Sequence, residues 1–209
     1  MLSASQLQGI SAYIDILQRW NAHINLTAIR NEEEIVTRHF GESLFAARHL
    51  FPRTAHVGTD AFVRQLELIS QIRVADLGSG AGFPGLPIKL WAPEISLTLI
   101  ESNQKKATFL REVARALTLT SVNIQNVRAE ELNPNQTFDL VTLRAVERFA
   151  AVLPTAASLV ARGGRLALLI GSSQVDEAKV VLPELSWQPE IPIPGSKARI
   201  LLMGTKEPD

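Results

Sequence analysis

The sequence predicts an α/β fold, an open and mostly parallel sheet with helices between its strands. Three observations predict it. Short apolar, β-branched runs at 74–77, 95–101, 122–127, 138–144 and 166–170 alternate with stretches of helical periodicity. The first run ends in a glycine-rich turn, Gly78-Ser79-Gly80-Ala81-Gly82, that feeds a helix. The second ends in a carboxylate, Glu101, 25 residues after Asp76. That is close to the offset of about 20 residues at which an acid meets ribose hydroxyls in doubly wound folds.

The elements follow in order. Leu7, Ile10, Ile14 and Leu17 mark an amphipathic helix ending near Trp20. Asn31 before Glu32-Glu33-Glu34 has the form of a capping box, and the acids suit the positive end of a helix dipole. Ile35, Val36, Phe40, Leu44, Ala47 and Leu50 then give the second helix its apolar stripe, ending before Pro52. A third helix candidate lies within 54–71, centred on 61–69. Residues 1–70 thus read as an N-terminal helical extension and residues 71–209 as the main domain. In the main domain Gln104 to Leu117 reads as a helix, with Ala107, Leu110, Val113, Ala114 and Leu117 on one face. The run 122–127 delivers Arg128-Ala129-Glu130-Glu131 to the carboxyl edge of the sheet, and 138–144 delivers Arg144-Ala145-Val146-Glu147. Arg162-Gly163-Gly164-Arg165 is a turn into the fifth strand. Arg199 to Met203 is the expected last strand, antiparallel at an edge.

The glycine loop separates two ligand classes. A dinucleotide site wants Gly-x-Gly-x-x-Gly with pyrophosphate on the helix N-terminus. Counted from Gly78, the sixth position here is Phe83, and the glycines run Gly-x-Gly-x-Gly with an acid two places ahead. That variant suits S-adenosylmethionine, which has no phosphate to cradle. The loop's candidate cofactor-binding residues are Asp76, Gly78, Ser79, Gly80, Gly82 and Phe83. Glu101 can accept from both vicinal ribose hydroxyls. Past the third strand, Ala129 and Glu130 are placed for the adenine edge, through a backbone amide and a carboxylate.

Composition narrows the chemistry. Lys+Arg and Asp+Glu balance at 21 each, so bulk charge carries no nucleic-acid signal. There is no Cys, which excludes disulfides, cysteine-ligated zinc and the nucleophile for methylating pyrimidine C5. The four histidines show no metal spacing, and no metal is assigned. No apolar run approaches the roughly 18 residues of a membrane span, and the first residues lack the pattern of a secretory signal. A cytoplasmic protein with no membrane partner is expected.

Several motifs together are more specific. They are Trp20-Asn21 with Asn25-Leu26-Thr27, then Arg38-His39 leading to Glu42-Ser43-Leu44, then Asp76 through Pro87 with its Phe83-Pro84-Gly85. Glu101-Ser102 with Lys105-Lys106 and Phe109-Leu110, Arg128-Ala129-Glu130 and Arg144-Ala145-Val146 complete the set. Over nearly its whole length the chain resembles the glucose-inhibited division protein B family, bacterial methyltransferases that modify N7 of a guanine in the decoding-region loop of 16S ribosomal RNA. The resemblance implies a Rossmann-like class I S-adenosylmethionine-dependent methyltransferase with a mostly parallel sheet and an N-terminal helical extension. It implies that Gly78, Phe83, Ala129, Glu130 and Arg144 contact the cofactor or its surroundings. It also implies that the extension of residues 1–70 packs on the core as one structural unit, and that 16S rRNA or the assembled small subunit is the partner. The sequence does not give the oligomeric state, and a monomer is the expectation. The alternative is a methyltransferase acting on another RNA or on a small molecule. Two positions depart from the family: Glu42 stands where an Asp is usual, and Ile170 where a Lys is frequent.

Guanine N7 has a lone pair and no proton, so its methylation needs alignment and no general base. Arg144 is the candidate catalytic residue, gripping guanine O6 or a phosphate bidentately. Arg128, Arg199, Lys105 and Lys106 are candidates for RNA phosphates; Asn25 and His39 shape the pocket wall by resemblance only. Enzymes that methylate exocyclic amines carry an Asn/Asp-Pro-Pro-aromatic turn after the fourth strand. Leu143-Arg144-Ala145-Val146 has no such turn, which favours ring-nitrogen chemistry.

Overall fold

A computed structural model of the chain describes residues 2–53, 69, 71–133, 135–146 and 148–208. The third helix candidate within 54–71, His56 and Glu147 therefore lie outside the described residues, apart from 69 and 71 at the end of that candidate. The chain begins with helix α1 (Ala4–Asn21), opened by a Ser3–Gln6 capping box. A short α2 (Glu32–Glu34) follows, capped by the Asn31 side chain, which accepts the Glu34 N–H. It runs without a break into a π-helical segment, Ile35–Gly41, and then α3 (Glu42–Leu50). The wider turn corrects the expected apolar stripe. Ile35 and Phe40, five residues apart, are both buried, and Val36 is turned out to solvent. Leu7 is likewise exposed, and Tyr13 supplies the buried ring on α1.

The sheet comprises β1 (Arg73–Leu77), β2 (Ser96–Ile100), β3 (Val122–Gln125), β4 (Phe138–Arg144), β5 (Val160–Gly171), β6 (Leu185–Trp187), β7 (Ile191–Pro192) and β8 (Arg199–Lys206). The intervening helices are α4 (Gly85–Trp91), α5 (Gln104–Ala116), α6 (Phe149–Ser158) and α7 (Val175–Val181). The strand order is β3-β2-β1-β4-β5-β8-β6, with β7 also on β8. Strands β1 to β5 are parallel, and β8 is antiparallel to β5, β6 and β7.

Two strand expectations need correction. The last strand is antiparallel but not an edge, because β6 and β7 flank its far side. Arg162–Arg165 is not a separate turn. It forms an irregularity inside a longer β5, where the register shifts between Phe138 and Leu140 and Gly163 takes φ +73°.

Strand β1 has β2 on one side and β4 on the other. This is the point where the chain reverses its winding direction, and open α/β sheets form their ligand crevice there, beyond the strands' carboxyl ends. One core cluster lies under the N-terminal helices and joins Tyr13, Leu17, Phe40, Phe83, Leu86, Phe109 and Leu110; the other fills the α6–α7 face with Leu143, Leu153 and Leu168 among its members. Full burial of a Leu or Ile contributes about 1.5–3 kcal/mol. Polar ties fix α1 on the core. Trp20 Nε1 donates to Glu112 Oε2 at 2.9 Å, and the Tyr13 hydroxyl donates to the Ala81 carbonyl. Among the described residues no helix is long and apolar enough to cross a membrane.

Candidate active site

A cleft of about 670 Å³ opens at the carboxyl ends of β1 to β4. Its walls come from Leu77 and the loop after β1, Glu101 after β2, Val127 to Glu130 after β3, and Arg144 to Val146 after β4. The N-terminal region supplies the remaining wall with Leu26 to Ile29, Arg38, His39 and Glu42. Arg199 reaches the same rim because β8 is antiparallel, which sets its first residue beside Gly171 at the end of β5.

The glycine loop is held from several sides. Ser79 N–H donates to the Ile100 carbonyl, and its hydroxyl donates to the Asp76 carbonyl. Gly78 and Gly80 take φ of +66° and +54°, the left-handed region that glycine enters without penalty. A Cβ on Gly80 would meet nothing closer than the Gly78 carbonyl at 3.7 Å, so this backbone lies open toward the cleft. Glu101 is 7% exposed, with Oε2 accepting the Gly80 N–H and Oε1 the Asn103 N–H, each at 2.8 Å. One backbone donor per oxygen fixes the carboxylate, and each oxygen keeps acceptor capacity.

Asp76 and Gly82 do not line the cleft. Asp76 is buried beneath the loop, where Oδ1 accepts from Thr142 Oγ1 at 2.8 Å and Oδ2 from the Gly85 N–H at 3.2 Å. Burial pushes its carboxyl up to about 6, against the pull of those two hydrogen bonds and the Arg144 charge. Gly82 faces α1, and a Cβ there would overlap the Tyr13 hydroxyl. Both residues shape the site from behind.

The rim opposite Glu101 is a buried charge cluster. Glu42 Oε2 accepts from Arg144 Nη2 at 3.0 Å and lies 3.5 Å from Arg199 Nη2. Arg144 Nη2 also donates to the Arg38 carbonyl at 2.8 Å, and Nη1 lies 3.2 Å from His39 Nδ1. Both N–H bonds of Nη2 are therefore committed, so a two-pronged grip on a guanine edge is not on offer from this guanidinium as it stands. Arg199 Nη2 donates to the Leu169 carbonyl, which turns this residue inward too. The Nε atoms of Arg144 and Arg199 are both buried with no hydrogen-bond partner.

Of the other expected site residues, Gly78, Ser79, Gly80, Phe83, Glu101, Arg128, Ala129, Glu130, Lys106 and His39 line the cleft, and Asn25 and Lys105 do not. Ile170 is buried in the core and offers nothing to this rim. The sequence reading gave no role to Asn21, whose Oδ1 accepts the N–H groups of Leu26 and Thr27 and whose Nδ2 donates to the Thr27 carbonyl. That side chain folds the 26–29 loop into the cleft wall. Glu42 figures in the sequence as part of a motif and as a departure from the family, and its role as the counter-ion of two arginines spans residues far apart in sequence. No group of three or more His, Asp or Glu that could hold a metal occurs among the described residues.

The sequence pattern of a family described as rRNA small subunit methyltransferase G matches residues 6–189. Proteins named ribosomal RNA small subunit methyltransferase G are similar to the chain in sequence. The one from Desulfitobacterium hafniense is 37% identical over 84% of this chain and 67% of its own length. The one from Roseiflexus castenholzii is 36% identical over 98% of this chain and 85% of its own length. Among solved structures, P. horikoshii TYW2 in complex with MeSAdo superposes with a TM-score of 0.56 at 17% identity, covering 74% of this chain and 65% of that one. A SAM-dependent O-methyltransferase from Thermotoga maritima gives 0.54 at 17% identity, covering 79% and 72%. At these identities the structural likeness establishes the fold, that of class I methyltransferases.

Proposed function

The chain belongs to the rRNA small subunit methyltransferase G family, and from that premise we propose that it methylates N7 of a guanine in 16S ribosomal RNA. It is an S-adenosylmethionine-dependent methyltransferase. When bound, S-adenosylmethionine supplies a sulfonium methyl group and leaves as a neutral thioether.

The observation that carries the reading is the pairing of Glu101 with Gly80. A carboxylate pinned by one N–H per oxygen stands beside bare backbone, and no residue pattern for a pyrophosphate accompanies it. Glu101 would accept from the two ribose hydroxyls, Gly78 and Gly80 would give close passage along the loop, and Ala129 and Glu130 would meet the adenine edge. Arg144 acts as a wall residue clamped on Glu42.

The chemistry asks little of the side chains beyond orientation. The acceptor nitrogen carries no proton, so no base is required, and effective alignment can supply most of the acceleration. The cleft fits that demand, because Glu101 is assigned to the ribose and Glu42 is engaged by two guanidiniums. Arg128 and Lys106 at the rim would meet backbone phosphates. Balanced overall charge favours recognition of a shaped ribonucleoprotein surface in the cytoplasm over capture of RNA by charge alone.

The test uses labelled S-adenosylmethionine with small subunits, and with deproteinised 16S RNA, from cells lacking this protein. Label at a single guanine, faster on the subunits, is the expected outcome. Absence of label from both substrates overturns the function, and equal rates on both remove the preference for assembled subunits.

A further inference from the structure

The N-terminal wall of the cleft presents one aromatic ring whose chemistry is unusually restricted. His39 lies in the π-helical segment, and such segments recur at functional sites. Its Nδ1 lies 3.2 Å from Arg144 Nη1, and a guanidinium can only donate, so Nδ1 is the acceptor. The ring proton of neutral His39 is thereby placed on Nε2, which donates to Thr27 Oγ1 at 2.8 Å. Thr27 Oγ1 also accepts the Ile29 N–H at 3.1 Å, and this ties the ring to the 26–29 loop. Burial, with Arg144, Arg38 and Arg199 around it, pushes the ring down to about 3. Both nitrogens are occupied and the ring is neutral, so it has no proton to give and no site to take one. What remains is its π face.

The faces are ordered by stacking. The His39 ring lies on Phe83 at 4.6 Å and 17°, and Phe83 lies on Tyr13 at 5.4 Å and 2°. Tyr13 is wholly buried, whereas Phe83 and His39 line the cleft. The column therefore ends at His39, which lines the same cleft as Gly80, Glu101 and Ala129.

We propose that the π face of His39 is the platform on which the target purine stacks for methylation. This rests on the reading above, which assigns the Glu101 wall to the methyl donor and leaves the His39 wall to the acceptor base. The physical argument is charge development. A purine alkylated at a ring nitrogen becomes cationic, and a cation gains attraction to a neutral aromatic face as its charge grows. An imidazolium at the same place would repel it. Burial guards against that state, and the guanidiniums of Arg144, Arg38 and Arg199 add to it, so the platform stays uncharged.

The experiment compares His39→Phe, which keeps a π face and loses both nitrogens, with His39→Asn, which keeps polar atoms and loses the ring. Full-length proteins are assayed with small subunits from cells lacking the enzyme, and donor affinity is measured separately by calorimetry. Stacking of one base on an aromatic side chain sets the scale, so His39→Asn should lose about 10- to 100-fold in kcat/KM for subunits. His39→Phe should stay within about five-fold of wild type, and donor Kd should change by less than about two-fold in both. Similar losses in both variants would overturn the proposal in favour of the ring nitrogens. A donor affinity that falls in step with activity would make His39 part of the donor wall and overturn it too.

A second readout is independent of turnover. The N-methyl protons of added 7-methylguanosine should shift upfield with wild type and with His39→Phe, and not with His39→Asn. The same shift in all three proteins, or in none, overturns the platform. If wild type transfers no methyl to subunits while the ring-dependent shift persists, the RNA assignment fails and the platform stands.

Discussion

Replacing Gly82 by Ala tests the inward-facing half of the glycine loop. At φ +86° an alanine pays the left-handed penalty, about 1–2 kcal/mol. Its Cβ would overlap the Tyr13 hydroxyl and lie 2.6 Å from Leu86 Cδ1 and 3.1 Å from Leu110 Cδ2. Overpacking of this kind costs about 1–3 kcal/mol. Together these give about 2–5 kcal/mol, a large part of the stability of an ordinary domain. Tyr13→Phe removes the obstructing oxygen at the loss of its hydrogen bond to Ala81, about 0.5–1.5 kcal/mol. The double variant should therefore be more stable than the two single losses predict, by about 1 kcal/mol or more. Urea unfolding of the four proteins, extrapolated to water, measures this cycle. Additivity within about 0.5 kcal/mol, or a Gly82→Ala loss below about 1 kcal/mol, would refute the contact between α1 and the loop.

Gly80→Asp should behave differently, because a side chain there enters open cleft beside Glu101. Calorimetry should show donor affinity lost by more than about 100-fold, equivalent to about 2.7 kcal/mol, with a small change in Tm; retained affinity would remove the pocket assignment. Glu42→Ala strips two inward-turned guanidiniums of their counter-ion and should cost about 3–5 kcal/mol in denaturant unfolding. Asp76 gives a pH signature. Its carboxyl is raised to about 6 in the fold from an ordinary value near 3.8, so the folded state holds a proton that the unfolded chain releases between these values. Its contribution to stability is therefore present at low pH and lost as pH rises through that window, by up to about 1.4 kcal/mol per pH unit. From pH 4 to 7 the stability of wild type should fall relative to that of Asp76→Asn, which carries no titrating group there; parallel curves would show that Asp76 is not the group responsible.

The strands of the parallel half were legible because β1, β2 and β4 are buried runs bounded by turn chemistry, and period and composition report burial directly. The loop was legible because positive φ at Gly78 and Gly80 demands a residue type. Gly82 carries the same signal for another reason, since glycine answers equally to a ligand and to a packed helix, and sequence alone does not separate the two. The π-helical turn left one trace, the five-residue spacing of Ile35 and Phe40, which a 3.6-residue template reads as noise. Arg144 shows the limit most clearly. Its position at the end of β4 was readable, but its engagement by Glu42, the Arg38 carbonyl and His39 depends on contacts more than 100 residues away.

Strand β8 is synthesised after β6 and β7, yet it lies between β5 and β6. While the polypeptide is being made, β6 and β7 have no neighbour to join, and the open side of β5 offers a bare row of amides and carbonyls. The parallel half can gather first, and the rest waits until residues 199–206 have left the ribosome. An unfinished copy would carry the β1 loop without Arg199, and so would hold the cleft with part of its rim missing.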